Sequence, residues 1–208
     1  ELMRRGVLVW PQLSGPARER LFALRRGIER GRNLLEQLLA LAKAQVAPGN
    51  APSPVSVQHV YRRVLEDLMP LAEAKRIDVG VEGQQDARVL VNEFDLTAVV
   101  KNLVDNAIRY TPDGGRIDLS VSIADGRATL QIKDSGPGIP MGERERVFDP
   151  FYRTVGSNHA GSGLGLSIVK AISDRIGAEV RLAFSDEAKQ SGLCVSFVVQ
   201  KFKSSRGS

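Results

Sequence analysis

The stretch Ala47-Pro48-Gly49-Asn50-Ala51-Pro52-Ser53-Pro54 constrains this chain more than any other. Proline lacks a backbone N–H and glycine favours turns, so neither a helix nor a central strand runs through it. It separates two unlike patterns. Over residues 17–46, Leu21, Leu24, Ile28, Gly31, Leu35, Leu38, Ala42 and Gln45 recur alternately three and four apart, a helical spacing with a heptad seam. Leu34, Leu39 and Leu41 widen that seam beyond a two-stranded zipper, which predicts a helical bundle. One amphipathic helix packed on its own domain is the alternative. Leu13-Ser14-Gly15-Pro16 reads as a turn, so residues 1–10 are read as the end of a preceding helix. The chain opens in mid-pattern, and a fragment of something longer is expected.

After the linker the pattern becomes mixed α and β. Helices are predicted over 57–75, 93–109 and 164–176, the last stopped by Gly177. Strands are predicted at 55–57, 77–81, 88–91, 116–123, 127–133, 179–184 and 193–199, and Asp125-Gly126 marks a hairpin between two of them. Residues 201–208 read as a disordered tail.

Composition narrows the classes. Hydrophobic residues make up 42% and charged residues 25%, enough apolar material for a true core. The net charge of +5 is spread along the chain, and only 5% of residues are aromatic. The interleaved basic and aromatic pattern of single-strand binders is therefore absent, and no nucleic-acid partner is expected. The single cysteine, Cys194, excludes an internal disulfide and a cysteine-rich metal site. No run reaches the roughly 18–20 apolar residues a bilayer span needs, which predicts a cytoplasmic piece.

Three segments hold polar residues and glycines that a packed core would not require. In KNLVDNAIRYTP (101–112), Asn102, Asn106 and Arg109 fall on one helix face, opposite the apolar residues. Amide oxygens there can meet a hard metal ion and a guanidinium can meet phosphate, although a solvated polar face has the same pattern. In DSGPGIP (134–140), Asp134 ends an apolar strand, while Gly136 and Gly138 let backbone approach a flat ring. An ordinary strand-ending turn would look alike. In GSGLGLSIV (161–169), glycines run into an apolar helix and leave N–H groups and the positive helix end available to an anion. The sequence contains no Gly-Lys pair, so this is not a Walker loop.

In this order the three segments resemble the N, G1 and G2 boxes of the histidine-kinase and related ATPase superfamily. ERVFDPFYR (145–153) is similar to the F box of the histidine kinases. The resemblance spans about residues 55–200. It implies a two-layer α/β sandwich, with a mixed sheet of about five strands covered on one face by helices and preceded by a long helix or helical hairpin. Residues 1–46 would be part of a dimerisation region, 47–54 a linker, and 55–200 the ATP-binding catalytic domain.

Position by position, the resemblance implies that Asn106 coordinates Mg²⁺ with Asn102 in support, and that Arg109 lies near the phosphates. Tyr110 would pack beside adenine and Asp134 would accept its amine. Gly136, Gly138 and Ile139 would shape the base pocket. Gly161, Gly163, Leu164, Gly165 and Leu166 would form the lid end and helix start that close on the phosphates. Phe148, Phe151 and Tyr152 would be the foot of the lid, with core packing the plainer role for Phe148. Arg153 would reach the γ-phosphate or lie as an exposed loop arginine. The implied chemistry is transfer of the ATP γ-phosphoryl group to histidine, leaving ADP, and then to a response regulator. The parent would be a homodimer through its helices, anchored in a bacterial inner membrane by parts outside this chain. A serine kinase of the anti-sigma type and a nucleotide-sensing interaction module are the alternatives.

The sequence departs from the family at the acceptor. His59, in SVQHVYRR, and His159, in VGSNHAGSG, both lack the surroundings of a phosphoacceptor and read as surface residues. Glu1-Leu2 echoes the residues after such a histidine, but Met3-Arg4-Arg5-Gly6 does not continue the motif. Truncation accounts for this, and natural loss is the alternative.

Overall fold

The computed structural model describes residues 51–83, 85–153 and 162–202, with residues 15, 19–25, 27, 28, 31, 35, 38, 39 and 42. The chain divides into two compact units, 1–38 and 39–208. Every described position between 15 and 42 is helical and exposed, including Leu21, Leu24, Ile28 and Leu35 of the heptad seam. The reading of residues 1–10 lies outside the described residues, as does Gln45.

The larger unit begins with strand β1 (Ser53–Ser56), which is antiparallel to β3 (Arg88–Val91). Pro54 of the expected linker thus sits in a strand, in an outer two-stranded ribbon where a missing N–H is tolerated. Ser56 caps helix α1 (Val57–Ala74), its hydroxyl accepting from the His59 N–H at 3.1 Å. Helix α2 (Glu93–Tyr110) is capped by Asn92 and carries Glu93 and Asp95 in its first turn, where carboxylates oppose the positive helix end. Helix α3 (Gly165–Ile176) ends at Gly177 in the left-handed conformation.

The main sheet comprises β2 (Asp78–Glu82), β4 (Arg116–Ala124), β5 (Arg127–Asp134), β6 (Glu179–Asp186) and β7 (Ser191–Gln200), in the order β2-β4-β5-β7-β6. Only the β2–β4 pair is parallel, so the sheet is mixed. Asp125 and Gly126, at φ 50° and 72°, make the two-residue turn between β4 and β5 that their strand twist requires. Alternation then sorts the faces. Ile117, Leu119 and Val121 of β4, Ala128, Leu130 and Ile132 of β5, and Val195, Phe197 and Val199 of β7 join one buried cluster with the helices. On the other face Gln131 bonds Ser196 across the strands at 3.2 Å. The expected two-layer sandwich of five strands and helices is what the chain forms.

The β7 end runs two residues past the expected boundary. The Lys201 N–H donates to Gly126 O, the Phe202 N–H donates to Arg88 O at 2.8 Å, and Lys201 bridges Val89. Lys201 and Phe202 therefore tie the β1–β3 ribbon to the sheet rather than joining a tail; residues 203–208 lie outside the described residues.

One cation closes α2 in a way the sequence did not announce. Lys75 Nζ donates to the carbonyls of Ile108, Arg109 and Thr111 at 2.9, 3.1 and 2.5 Å, which have no partners further along the helix. Lys75→Met keeps the aliphatic stem and removes these bonds. It is expected to lower stability by roughly 2 kcal/mol, the range for hydrogen bonds to a charged group at a helix C-terminus. Urea unfolding checks this through a lower midpoint at unchanged slope.

Candidate nucleotide site

The site is built around the second half of α2. Burying Leu96, Val99, Val100, Leu103, Ala107 and Ile108 leaves Asn102, Asn106 and Arg109 half-exposed on the other side. Asn102 donates its amide nitrogen to Ala98 O at 2.8 Å, which keeps its oxygen outward. Arg109 pairs with Asp105 one turn earlier at 2.8 Å.

The first residue of α3 lies directly against this face. A Cβ at Gly165 would come within 3.1 and 3.2 Å of the two Asn106 amide heteroatoms and 3.4 Å of Asn102 Oδ1. A side chain there would press on the two asparagine amides, which would have to give by a few tenths of an ångström. That helix start has no side-chain cap and no acidic residue in its first turn, so its positive end and first N–H groups suit an anion.

The loop after β5 meets α2 one turn beyond Asn106, at its C-terminus. Gly136 sits so close to Tyr110 that a Cβ would lie 2.9 Å from its carbonyl oxygen. Asp134 is buried at 7% exposure, and its Oδ1 accepts from the N–H groups of Gly136 at 2.8 Å and Leu193 at 3.1 Å. Oδ2 takes neither bond, which leaves it as the acceptor for a ligand donor. Burial pushes the Asp134 carboxyl above the usual aspartate range, and the two N–H bonds pull it part of the way back. Gly138, at φ 76°, turns the chain where a side chain would strike Gly192 O and the Phe184 ring. Ile139 follows it, half-buried.

The third region is tied at its base. The Phe151 N–H donates to Gly163 O at 3.0 Å, joining the two ends of the intervening segment. Tyr152 and Phe148 are half-buried and Phe151 is 56% exposed. Arg146 lies 4.5 Å from the Tyr152 ring centroid. Arg153 is exposed, while Gly161 and His159 lie outside the described residues. Leu164 is placed differently from the others: its side chain is fully buried in the core and its N–H donates to Ser162 Oγ at 3.2 Å. Its apolar side chain is worth more in that core than beside polar phosphates, so it anchors the helix start from within. Leu166 also packs against the core, half-buried.

Gly165 beside Asn106, and the Asp134–Gly136 turn beside Tyr110, thus meet one stretch of α2. What motif reading missed are the supports: Ser185, whose hydroxyl donates to Asp134 O at 2.6 Å, and Gly192, whose N–H donates to Gly136 O at 2.7 Å. Both stand on the β6–β7 hairpin, distant in sequence and without any pattern of their own.

A buried carboxylate beside a turn with two glycines, and asparagine amides beside an uncapped helix start, make an arrangement that could take an adenine nucleotide. The family model for histidine kinase-, DNA gyrase B- and HSP90-like ATPases matches residues 91–203, and this chain belongs to that family. More narrowly, it is 32% identical over 169 residues to the swarming motility regulation sensor protein RssA of Serratia marcescens, covering 79% of this chain and 36% of that one. It is 38% identical over 157 residues to the sensor protein kinase PmrB of Pseudomonas aeruginosa, covering 73% and 32%. The chain thus spans about a third of the length of the curated relatives it matches. Among solved structures, the mycobacterial sensor histidine kinase MprB superposes with a TM-score of 0.66 at 33% identity, covering 74% of this chain and 99% of that one. Full-length ShkA in complex with AMPPNP gives 0.76 at 27% identity, covering 93% and 40%.

Proposed function

We propose that this chain is the catalytic core of a sensor histidine kinase, which binds ATP with Mg²⁺ and passes the γ-phosphoryl group to a histidine outside the sequence given. The observation that carries the reading is the meeting of Asn106, Asp134 and the α3 N-terminus around one half of α2. Asp134 Oδ2 reads the adenine amine, and Tyr110 packs beside the base. The α3 N-terminus and Arg109 draw the phosphates into position. Transfer breaks the bond from the γ-phosphorus to the bridging oxygen of ADP and forms one to an imidazole nitrogen, so the residues here position and neutralise rather than react.

Among the described residues no cluster of three or more His, Cys, Asp and Glu side chains could hold a metal alone. Amide oxygens shared with phosphates and water fit Mg²⁺, which rarely uses a full protein cage. Asn106 would hold it, with Asn102 Oδ1 in support, and the ion would neutralise charge building on the phosphate oxygens.

The acceptor is expected from elsewhere. His59 is exposed in the first turn of α1, its N–H committed to the Ser56 cap. The exposed apolar seam of the N-terminal helix supports a homodimer through that region. No described helix is long and apolar enough to cross a membrane; anchoring of the parent would run through other segments. Relay to a response-regulator aspartate completes the reading, and it draws support from sensor kinases among the relatives.

The test is incubation with γ-labelled ATP and Mg²⁺, with and without a companion fragment carrying the acceptor helix of a sensor kinase. Acid-labile label on the companion histidine alone is the expected result. Acid-stable label on a serine of a partner protein would favour the anti-sigma type of kinase. Nucleotide binding without transfer to any acceptor would leave a sensing module.

Asp134 also predicts a pH dependence. Its folded-state pKa is raised, so this group favours the fold most at low pH and loses that contribution as pH rises through the folded pKa. Adenine binding requires the ionised form, so the two act oppositely. Affinity for ATP should be greatest above that pKa and fall by up to about tenfold per pH unit below it. Asp134→Asn should bind ATP about 10–100-fold more weakly at neutral pH, the range for a lost charged hydrogen bond, and lack this step. Calorimetric titrations of both proteins across acid pH provide the check.

A further inference from the structure

Behind the base-reading loop stands a cation that the phosphoryl chemistry does not use. Arg144 Nε donates to Ile139 O at 3.2 Å, within reach of the loop. One terminal nitrogen donates to Leu182 O of β6, also at 3.2 Å. The guanidinium carbon lies 4.6 Å from the centroid of the Phe184 ring. The same ring backs the loop, because a Cβ on Gly138 would fall 2.8 Å from two of its carbons. A single planar group therefore joins the end of the loop, the β6 backbone and the ring on which the loop rests. Its other terminal nitrogen is buried without a partner among the described residues. A desolvated donor of that kind is costly, and an apolar side chain would fill the space without it.

The start of the loop is clamped independently, through Gly192 N–H to Gly136 O, Leu193 N–H to Asp134 Oδ1 and Ser185 Oγ to Asp134 O. Those bonds hold residues 134–136 but not 138–139. We propose that Arg144 is the positioning residue for base recognition, fixing Gly138 and Ile139 on the β6 side so that the pocket opposite Asp134 keeps its width. The proposal rests on the reading of this loop as an adenine site. Arg144 touches no substrate. Its effect is on which base fits, because a loop free to shift would no longer hold the ring where its amine meets the carboxylate.

The test compares ATP with inosine triphosphate, which presents a carbonyl where adenine has its amine. Binding of each to the full chain is measured for wild type, Arg144→Met and Arg144→Lys, with thermal unfolding alongside. Wild type is expected to prefer ATP by about tenfold or more, the range for a hydrogen bond to a charged acceptor. Arg144→Met should cut that preference by about fivefold while inosine triphosphate binding changes little. Arg144→Lys retains a cation and rotatable N–H donors but loses the rigid fork, and should restore part of the preference. Equal weakening of both nucleotides, or an unchanged preference, would overturn the proposal. Should Arg144→Met fail to fold, Arg144→Lys carries the test alone, because an ammonium lacks the rigid fork that spans the Ile139 and Leu182 carbonyls. A reduced ATP preference there supports the proposal, and a wild-type preference overturns it. A wild-type chain that binds neither nucleotide overturns the adenine reading and this inference together, whereas a wild-type preference that survives every variant removes only the role of Arg144.

Discussion

Asn106→Ala is expected to reduce phosphoryl transfer to a companion histidine by at least about a hundredfold. Metal neutralisation of a transferring phosphoryl group supplies several kcal/mol, and about 3 kcal/mol corresponds to that factor. Alanine removes the amide but leaves the helix unchanged, since Asn106 faces away from the buried residues of α2 and alanine favours helix. The loss should therefore be chemical rather than structural, with little change in thermal unfolding. On the proposed reading, base recognition falls to Asp134 and its loop, a turn away, so ADP binding in the presence of a chelator should match wild type. The gain in affinity that Mg²⁺ confers on wild type should be absent. An Asn106→Ala protein that still binds more tightly with Mg²⁺ and still labels the companion would remove Asn106 from the site.

The largest effect on stability should come from a residue far from the nucleotide. Arg175, in the last turn of α3, donates to Asp95, in the first turn of α2, at 2.7 Å. Their side chains are only 14% and 12% exposed. Each charge opposes the helix end it sits on, and together they fasten the two helices that carry Asn106 and Gly165. The second oxygen of Asp95 is already buried without a partner among the described residues. Arg175→Met would leave the whole carboxylate uncompensated, at a cost of about 3 kcal/mol. In a domain of this size that corresponds to a fall in Tm of roughly 6–12 °C. Pairing it with Asp95→Leu removes the orphaned charge and should recover most of the loss. Thermal or urea unfolding of the single and double variants decides the matter, and a double variant as unstable as Arg175→Met would show that the charge was not the cause.

Much of the fold was legible because its elements carry local signals. The β4–β5 hairpin has Asp125-Gly126 at its turn, α2 has Asn92 before it and a clean apolar face, and α3 is closed by Gly177. Strand boundaries shifted by one or two residues at most where edges have no marker, as at β6, which continues to Asp186. The linker and tail readings gave way at Ser53–Pro54 and at Lys201–Phe202, because hydrogen bonding to β3 depends on where that strand lies and not on the composition of the segments.

The sequence by itself determined the order of helices and strands, the polar face of α2, and the three segments that hold Asn106, Asp134 and Gly165. Each is a matter of spacing within a dozen residues, where helix and strand periodicity act directly. Tertiary structure alone decided what supports them. Lys75 on the α2 carbonyls, Arg175 on Asp95, and Arg144 on the Phe184 ring join groups 33 to 80 residues apart. In sequence each reads as one more solvated cation, because a charge acquires a specific partner only when packing removes it from water.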